Sequence, residues 1–473
     1  MQSNYFYITT TAPYVNATPH IGFALEIIAA DVIARYRHLC GDNVIFGTGT
    51  DEHGVNIYRK AQELSKPVQD YVDENARTFE RLKDTLHLSF THFQRTTAAS
   101  HIAAAQHFWQ LCAESGDIYK KSYLSKYCAG CELEKTDSEL VDGKCPLHPT
   151  KELEIIEEEN YFFRFSNYQE KLLSLYQAHE AFIVPDSKYK EMAAFVSRGL
   201  KDFSISRVKA KMPWGVPVPN DQDHVMYVWF DALVFYISTL GWPETTKEFE
   251  QFWPGIQIAG KDNLRQQAAM WQAMLMSAGL PTSKQILING FISVAGQKMS
   301  KTLGNVISPE EMIDRYGVDA TRYLLMRLGA IGEDMDVSWE KFDITYTADL
   351  SNGLGNTISR VAALCAKSGF SFAIDKSPGF RSQFKEPMSN YALASALESV
   401  WDSLSYIDTK INESQPWKLE GAPQRIVLQE LIAHLRQVAF ELQPFMPQVA
   451  QEITDIFSKP QISAIKPIFP RLT

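Results

Sequence analysis

The chain opens with a run of β-forming residues, Tyr5-Phe6-Tyr7-Ile8-Thr9-Thr10, which predicts a strand. Leu25, Ile28, Ala29, Val32 and Ile33 follow at helical spacing, and Pro19 sits where a first helical turn can hold a proline. Residues 43–54 read as a buried strand ending in a polar turn, and residues 55–64 as a helix. Helices are predicted over most of residues 67–116. Residues 160–165 and 203–207 read as strands. Residues 225–236 and 256–271 each read as strand, turn and helix, and residues 286–294 as a last strand. Beyond about Glu333 the apolar stripes are helical, over 348–367, 392–412 and 425–440, and residues 369–387 read as a loop. This alternation predicts an α/β fold with a Rossmann-type parallel sheet, followed by an α-helical bundle.

At 473 residues the chain is too long for one ordinary core. The pattern divides it into residues 1–116 and 206–332 as two halves of one domain, an insertion at 117–205, and a bundle at 333–473. A hydrophobic content of 45% with 12% aromatics describes a packed globular protein rather than a disordered one. The net charge of -10 argues against non-specific coating of nucleic acid but leaves room for a local basic groove. No stretch reaches about 18 uncharged apolar residues, so no membrane span is expected. No basic residue precedes the first apolar run, so no signal peptide is expected. Six cysteines in so long a chain make no disulfide scaffold, and a cytoplasmic home follows.

Candidate chemistry collects at a few places. The helix start around His20 and Gly22 is a ready anion site, where N–H groups and the helix dipole meet a ligand. His20 there either donates to a phosphate or sits buried on the helix shoulder. Gly296-Gln297-Lys298-Met299-Ser300-Lys301-Thr302 is a cationic loop able to close over phosphates, or a solvated basic turn. Asp51 and His53 follow a strand end, where ligands bind in parallel sheets, although either could cap the next helix. Cys128 and Cys131, with Cys145 and His148, give two ligand pairs that fit a closed, structural tetrahedral Zn²⁺ knuckle. Cys40, Cys112 and Cys365 read as small core residues, and residues 207–211 as a solvated basic edge. Trp229, Tyr236 and Trp271 are core aromatics or the walls of a small-molecule pocket.

Taken together, the stretch through His20-Ile21-Gly22-Phe23 and the stretch through Lys298-Met299-Ser300-Lys301-Thr302 resemble the paired signature of class I aminoacyl-tRNA synthetases. Thr50-Asp51-Glu52-His53-Gly54, the cysteine knuckle, Trp229-Phe230-Asp231-Ala232, Gly260-Lys261-Asp262 and the bundle resemble the methionyl-tRNA synthetases over almost the whole chain. The resemblance implies ATP-dependent formation of an aminoacyl-adenylate and transfer to tRNA, with Mg²⁺ accompanying ATP. It implies that His20, Gly22, Glu26, Lys298 and Lys301 bind ATP. Ala12, Tyr14, Asp51, Trp229, Ala232, Tyr236, Asn263, Gln267 and Trp271 would form the amino-acid pocket, with Asp51 holding the amino group. Asn356, Arg360, Pro416 and Trp417 would grip the anticodon, Trp417 by stacking. A monomer is expected.

Three residues depart from the family pattern. Phe23 replaces a histidine, Gln267 stands in place of a pocket histidine, and Asn263 in place of an aliphatic residue. Gln267 and Asn263 either hydrogen-bond each other and Tyr236, leaving an apolar cavity, or point inward to meet a polar side chain. The second case leaves open a paralogue that adenylates a more polar amino acid for a small molecule or carrier. Phe23 leaves open a catalytically weak RNA-binding regulator.

Overall fold

The computed structural model describes residues 4–16, 18–131, 133–135, 140–299, 304–329, 331–373 and 378–472, without the side chains of Tyr123, Ser125, Leu133, Glu134, Ile156, Glu157, Glu158 and Lys298. Its centre is a six-stranded parallel sheet. The strand order is His92–Arg95, Asn43–Thr50, Tyr5–Thr9, Ile256–Gly260, Gln285–Asn289, Ile183–Val184. Tyr5–Thr9 pairs in register with Asn43 through Gly47 on one side, and Ile8 and Thr9 pair with Ile256 and Gln257 on the other. The order therefore reverses between Tyr5–Thr9 and Ile256–Gly260, the switch point where ligands bind in open α/β sheets. The predicted apolar stripe of the first helix, Ile21–Leu39, is buried against this sheet.

Two short antiparallel sheets flank the centre. Ile118–Cys128 and Glu154–Phe163 are the two long inner strands of a four-stranded sheet, edged by Leu133–Lys135 and Phe203–Ser204, that carries the cysteine knuckle. Ser206–Val208, Asp221–Met226 and Pro217–Val218 form the other sheet, which leads into the helix Val228–Leu233. After residue 333 the chain is mainly helical, with Asn356–Ser368, Leu393–Ser414, Gly421–Leu442 and Pro447–Phe457 packed together. Bundle and sheet domain share one continuous apolar core. Arg322, fully buried, ties them: it donates to Asp31 Oδ2 at 2.6 Å and to the carbonyls of Leu86, Pro444 and Phe445. Burial would raise the Asp31 carboxyl, but the guanidinium charges of Arg322 and Arg35 outweigh it and hold the group low.

Several expectations are corrected. The region read as mostly helical between 67 and 116 contains the edge strand His92–Arg95, four residues whose half-burial leaves no alternation to read. Ile183–Val184, inside the expected insertion, belongs to the central sheet. The last strand is two: Gln285–Asn289 ends and Ile292–Val294 joins Met335–Val337 in a separate sheet. At Gly290, between them, a Cβ would lie 1.9 Å from the Glu333 carbonyl oxygen, so only glycine passes. The expected loop at 369–387 holds a helix start, Ser382–Ser389, which buries Phe384 and Met388 one turn apart. Cys40 is exposed, while Cys112 and Cys365 are buried as expected. Arg207 is no solvated edge: it is buried, donates to Ser204 Oγ at 2.9 Å, and lies 4.2 Å from the Tyr227 ring.

Candidate active site

Four strand ends meet at one cavity of about 480 Å³. The chain after Tyr5–Thr9 supplies Thr11, Ala12 and Tyr14, and that after Asn43–Thr50 supplies Asp51. The chain after Ile256–Gly260 supplies Asp262, Asn263 and Gln267, and Gln285–Asn289 ends in the wall at Asn289. Trp229, Ala232 and Tyr236 close the wall from the helical segments that follow Asp221–Met226. Tyr14 and Asp51 are joined by a parallel bridge, with Asp51 N–H donating to the Pro13 carbonyl and Val15 N–H to that of Asp51. Asp51 is 7% exposed and lines the cavity.

At the other side stands the first turn of Ile21–Leu39. His20 caps it, its Nδ1 accepting from Gly22 N–H at 3.0 Å. A Cβ on Gly22 would meet that ring at 2.7 Å, so this cap requires glycine. The first amides are not open donors as the sequence suggested. Ile21 N–H donates to the Ile307 carbonyl and Phe23 N–H to that of His20. The group presented to a ligand is thus the exposed His20 imidazole. Phe23 packs edge-on against Phe79 at 5.5 Å, an apolar pair on the cavity wall. Glu26 accepts on Oε1 from Thr11 N–H at 2.8 Å and Thr11 Oγ1 at 2.6 Å. Burial pushes its carboxyl up to about 7, the Thr11 bonds opposing and Asp262 adding repulsion.

Beneath the wall lies a cluster that the sequence reading missed. Asp231, fully buried, holds His53 Nδ1 at 2.6 Å and His101 Nε2 at 2.8 Å. Burial alone would raise its carboxyl; attraction to His53 and hydrogen bonds with both imidazoles bring it down to about 2. His101 also meets Ser238 Oγ at 2.9 Å. Glu52, beside Asp51, is gripped by Arg95 and by Thr50 Oγ1, and its carbonyl accepts from Trp214 Nε1. His53 is therefore a strut rather than a ligand group. His101 sits among apolar and small residues in Ala99–Glu114, with nothing local to mark it.

The departures resolve clearly. Gln267 is paired: its Nε2 donates to Tyr236 Oη and its Oε1 accepts from Gln257 Nε2 at 3.2 Å. No bond joins it to Asn263, because residues 266–270 form a wide π-turn that breaks the helical register between them. Trp271 does not line the cavity. It is buried behind Tyr236, with ring centroids 6.0 Å apart.

Cys128, Cys131, Cys145 and His148 offer ligand atoms all within 4.8 Å of one another. Separations such as Cys131 Sγ to Cys145 Sγ at 3.4 Å suit four corners around one metal ion with bonds near 2.3 Å. The knuckle reaches the site: Gly130 and Cys131 line the cavity, and Asn56 Nδ2 donates to the Ala129 carbonyl at 3.2 Å. Met299 also lines it, which brings the start of the lysine loop to the site; residues 300–303, Lys301 among them, lie outside the described residues. Far off on the bundle, Arg360 and Trp417 lie together, the guanidinium 5.8 Å from the ring centroid, with Asn356 one turn before Arg360 on Asn356–Ser368. Trp417 is 46% exposed, in the short turn Pro416–Lys418. Among the described residues no helix is long and apolar enough to cross a membrane.

The same architecture recurs in known proteins. Residues 6–152 and 148–362 match the family described as tRNA synthetases class I (M). A methionine–tRNA ligase of Thermotoga maritima is 39% identical over 95% of this chain and 74% of its own length. One from Brucella suis is 38% identical over 100% of this chain and 98% of its own. The Mycobacterium tuberculosis methionyl-tRNA synthetase in complex with methionyl-adenylate superposes with a TM-score of 0.91 at 34% identity, covering 99% of this chain and 100% of that one. Matched along nearly its whole length in sequence and in fold, this chain belongs to the methionyl-tRNA synthetase family of class I.

Proposed function

We propose that this chain activates methionine with ATP and transfers it to the 3′ end of tRNA. The observation that carries the reading is one cavity lined by Asp51, Tyr14, Trp229 and Tyr236 together with His20 and Glu26. Asp51 binds the ammonium group of the amino acid, and the aromatic wall takes its side chain. The amino-acid carboxylate attacks the α-phosphorus of ATP in line, and pyrophosphate leaves with the electron pair of the broken P–O bond. The 3′-terminal tRNA hydroxyl then attacks the acyl carbonyl and releases AMP. No protein group forms a covalent bond in this scheme, so the rate comes from positioning and charge stabilisation.

His20, Lys298 and Lys301 serve the phosphates, while Gly22 and Glu26 border the nucleotide. Mg²⁺ carried with ATP would neutralise phosphate charge. The four knuckle ligands suit a structural Zn²⁺, since all four corners are filled by protein. Asn356, Arg360, Pro416 and Trp417 offer an exposed ring and a cation for an unpaired anticodon base.

The paired Gln267 favours methionine over a polar amino acid, because its amide makes no demand on the ligand. Amino-acid-dependent ATP–pyrophosphate exchange across all twenty amino acids is the test. Methionine should support exchange; another amino acid working while millimolar methionine does not would overturn the reading.

A further inference from the structure

The strand Gln285–Asn289 ends on a polar side chain with nothing to bond. Asn289 is 3% exposed and lines the cavity, and its Nδ2 is buried with no hydrogen-bond partner among the described residues. A buried donor without an acceptor forfeits its hydration. The backbone around it is pinned and cannot move to relieve this. Asn289 bridges Ile331, Gly290 passes the Glu333 carbonyl with no room for a Cβ, and Phe291 N–H donates to Asp334 Oδ1 at 2.9 Å. Turning the amide over would add another oxygen to a corner where the Asp262 charge already raises the Glu26 carboxyl. Nδ2 is therefore a donor held ready for a ligand atom.

Its neighbours decide which part of the ligand that is. Asn289 pairs in register with Gly260 on the adjacent strand Ile256–Gly260. Asp262 folds back over the same glycine, where a Cβ would meet Asp262 Oδ1 at 2.7 Å. A donor and an acceptor thus flank one residue without a side chain. Asp51 and Tyr14 follow the strands on the other side of the switch point, so this corner is the half of the cavity away from the amino acid. Asp262 and Glu26 disfavour a phosphate here, and Lys261 is held by Asp334 at 2.5 Å. The ligand part that fits is neutral and carries adjacent groups that both accept and donate. A ribose diol has this character, and acidic residues hold ribose hydroxyls in other nucleotide-binding α/β folds. The apolar wall of Phe291 and Ile292, next along the chain, suits the base.

We infer that Asn289 donates from Nδ2 to one ribose hydroxyl of ATP while Asp262 accepts from the other, and that Asn289 thereby selects ribonucleotides over deoxyribonucleotides. This inference rests on the proposed adenylate-forming reading and adds the residue that reads the sugar.

The experiment measures pyrophosphate exchange with ATP, 2′-deoxy-ATP, 3′-deoxy-ATP and ITP at saturating methionine, in the wild type and in Asn289→Ala. The wild type should lose roughly tenfold in kcat/KM with each deoxynucleotide, as for one lost hydrogen bond. In Asn289→Ala, ATP itself should lose roughly tenfold. One deoxynucleotide should then serve this variant as well as ATP does, while the other keeps its penalty. A purely structural role would lower all nucleotides together and leave both penalties in place, which would overturn the inference. ITP reverses the donor and acceptor of the base edge. A cost of Asn289→Ala that disappears with ITP but remains with both deoxynucleotides would assign the amide to the base, and would also overturn it. Should the variant not fold, a crystal structure of the wild type with adenosine reads the amide directly. Nδ2 should lie within about 3.2 Å of O2′ or O3′; a contact to the base, or none, overturns the inference. Absence of exchange in the wild type with ATP and every amino acid would instead overturn the adenylate reading, and the adenosine complex would still decide the ribose contact.

Discussion

Asp231 Oδ2 and His53 Nδ1 stand 2.6 Å apart across 178 residues of chain, both residues buried. The contact joins the turn after Asn43–Thr50, which carries Asp51, to the helix Val228–Leu233, which carries Trp229 and Ala232. The site's charged anchor and its aromatic wall thus share one bolt, with His101 on its other oxygen.

Asp231→Asn keeps the shape but offers one acceptor where two imidazole nitrogens now meet a carboxylate. We expect a loss of about 1–3 kcal/mol in unfolding free energy and a raised KM for methionine, read by denaturant titration and pyrophosphate exchange. The carboxyl lies well below its usual range. Its contribution is present above the usual carboxylate pKa and is lost as pH falls toward about 2. A variant unchanged in both measurements would show that the bolt carries nothing.

How far the sequence foretold this site depends on how local each feature is. The two cysteine pairs are spaced within 21 residues, and their geometry is the one their spacing implies. The apolar stripe from Leu25 to Ile33 is buried as its period required. The Asp231 bolt could not be read, because neither His53 nor His101 has any local relation to residue 231. Arg207 was misread because Lys209 and Lys211 follow it in a basic run, while the Tyr227 ring it lies against belongs to a different part of the chain. Asn263 and Gln267 were paired on a four-residue period that the π-turn at Gln266–Met270 does not keep. Periodicity reports faces of regular elements; it carries no information on a single widened turn.

The knuckle should hold one Zn²⁺ per chain in protein purified without added metal. Cys128→Ser combined with Cys145→Ser should abolish it, as elemental analysis would show. Because Gly130 and Cys131 line the cavity, the same variant should also raise the KM for substrates. Metal content near zero in the wild type, or unaltered in the double variant, contradicts the assignment.

On the bundle, Trp417→Ala removes an exposed ring that Arg360 flanks. Stacking of one base on such a ring is worth roughly 1–3 kcal/mol. tRNA charging should therefore fall by about ten- to a hundredfold in kcat/KM, while exchange without tRNA remains intact. Equal charging by both proteins would place anticodon recognition elsewhere.

Glu26 is a buried carboxyl raised into the neutral range. Folded, it holds its proton up to about 7 because burial disfavours the charge; unfolded, it releases it near 4.5. A raised carboxyl contributes stability that is complete below the unfolded value and is lost as pH rises through the folded one. Between pH 4.5 and about 7 the wild type should therefore lose on the order of 3 kcal/mol from this residue. Ionised Glu26 also adds negative charge to a wall shared with Asp262, so the KM for ATP should rise over the upper part of that interval. Glu26→Gln retains the oxygen that accepts both Thr11 bonds and carries no titrating proton. The variant should match the wild type near pH 5, exceed it in stability at pH 8, and show a flat KM for ATP between them. Unfolding free energies and exchange kinetics at matched pH values measure both; identical pH profiles for the two proteins would mean that Glu26 ionises freely in the fold.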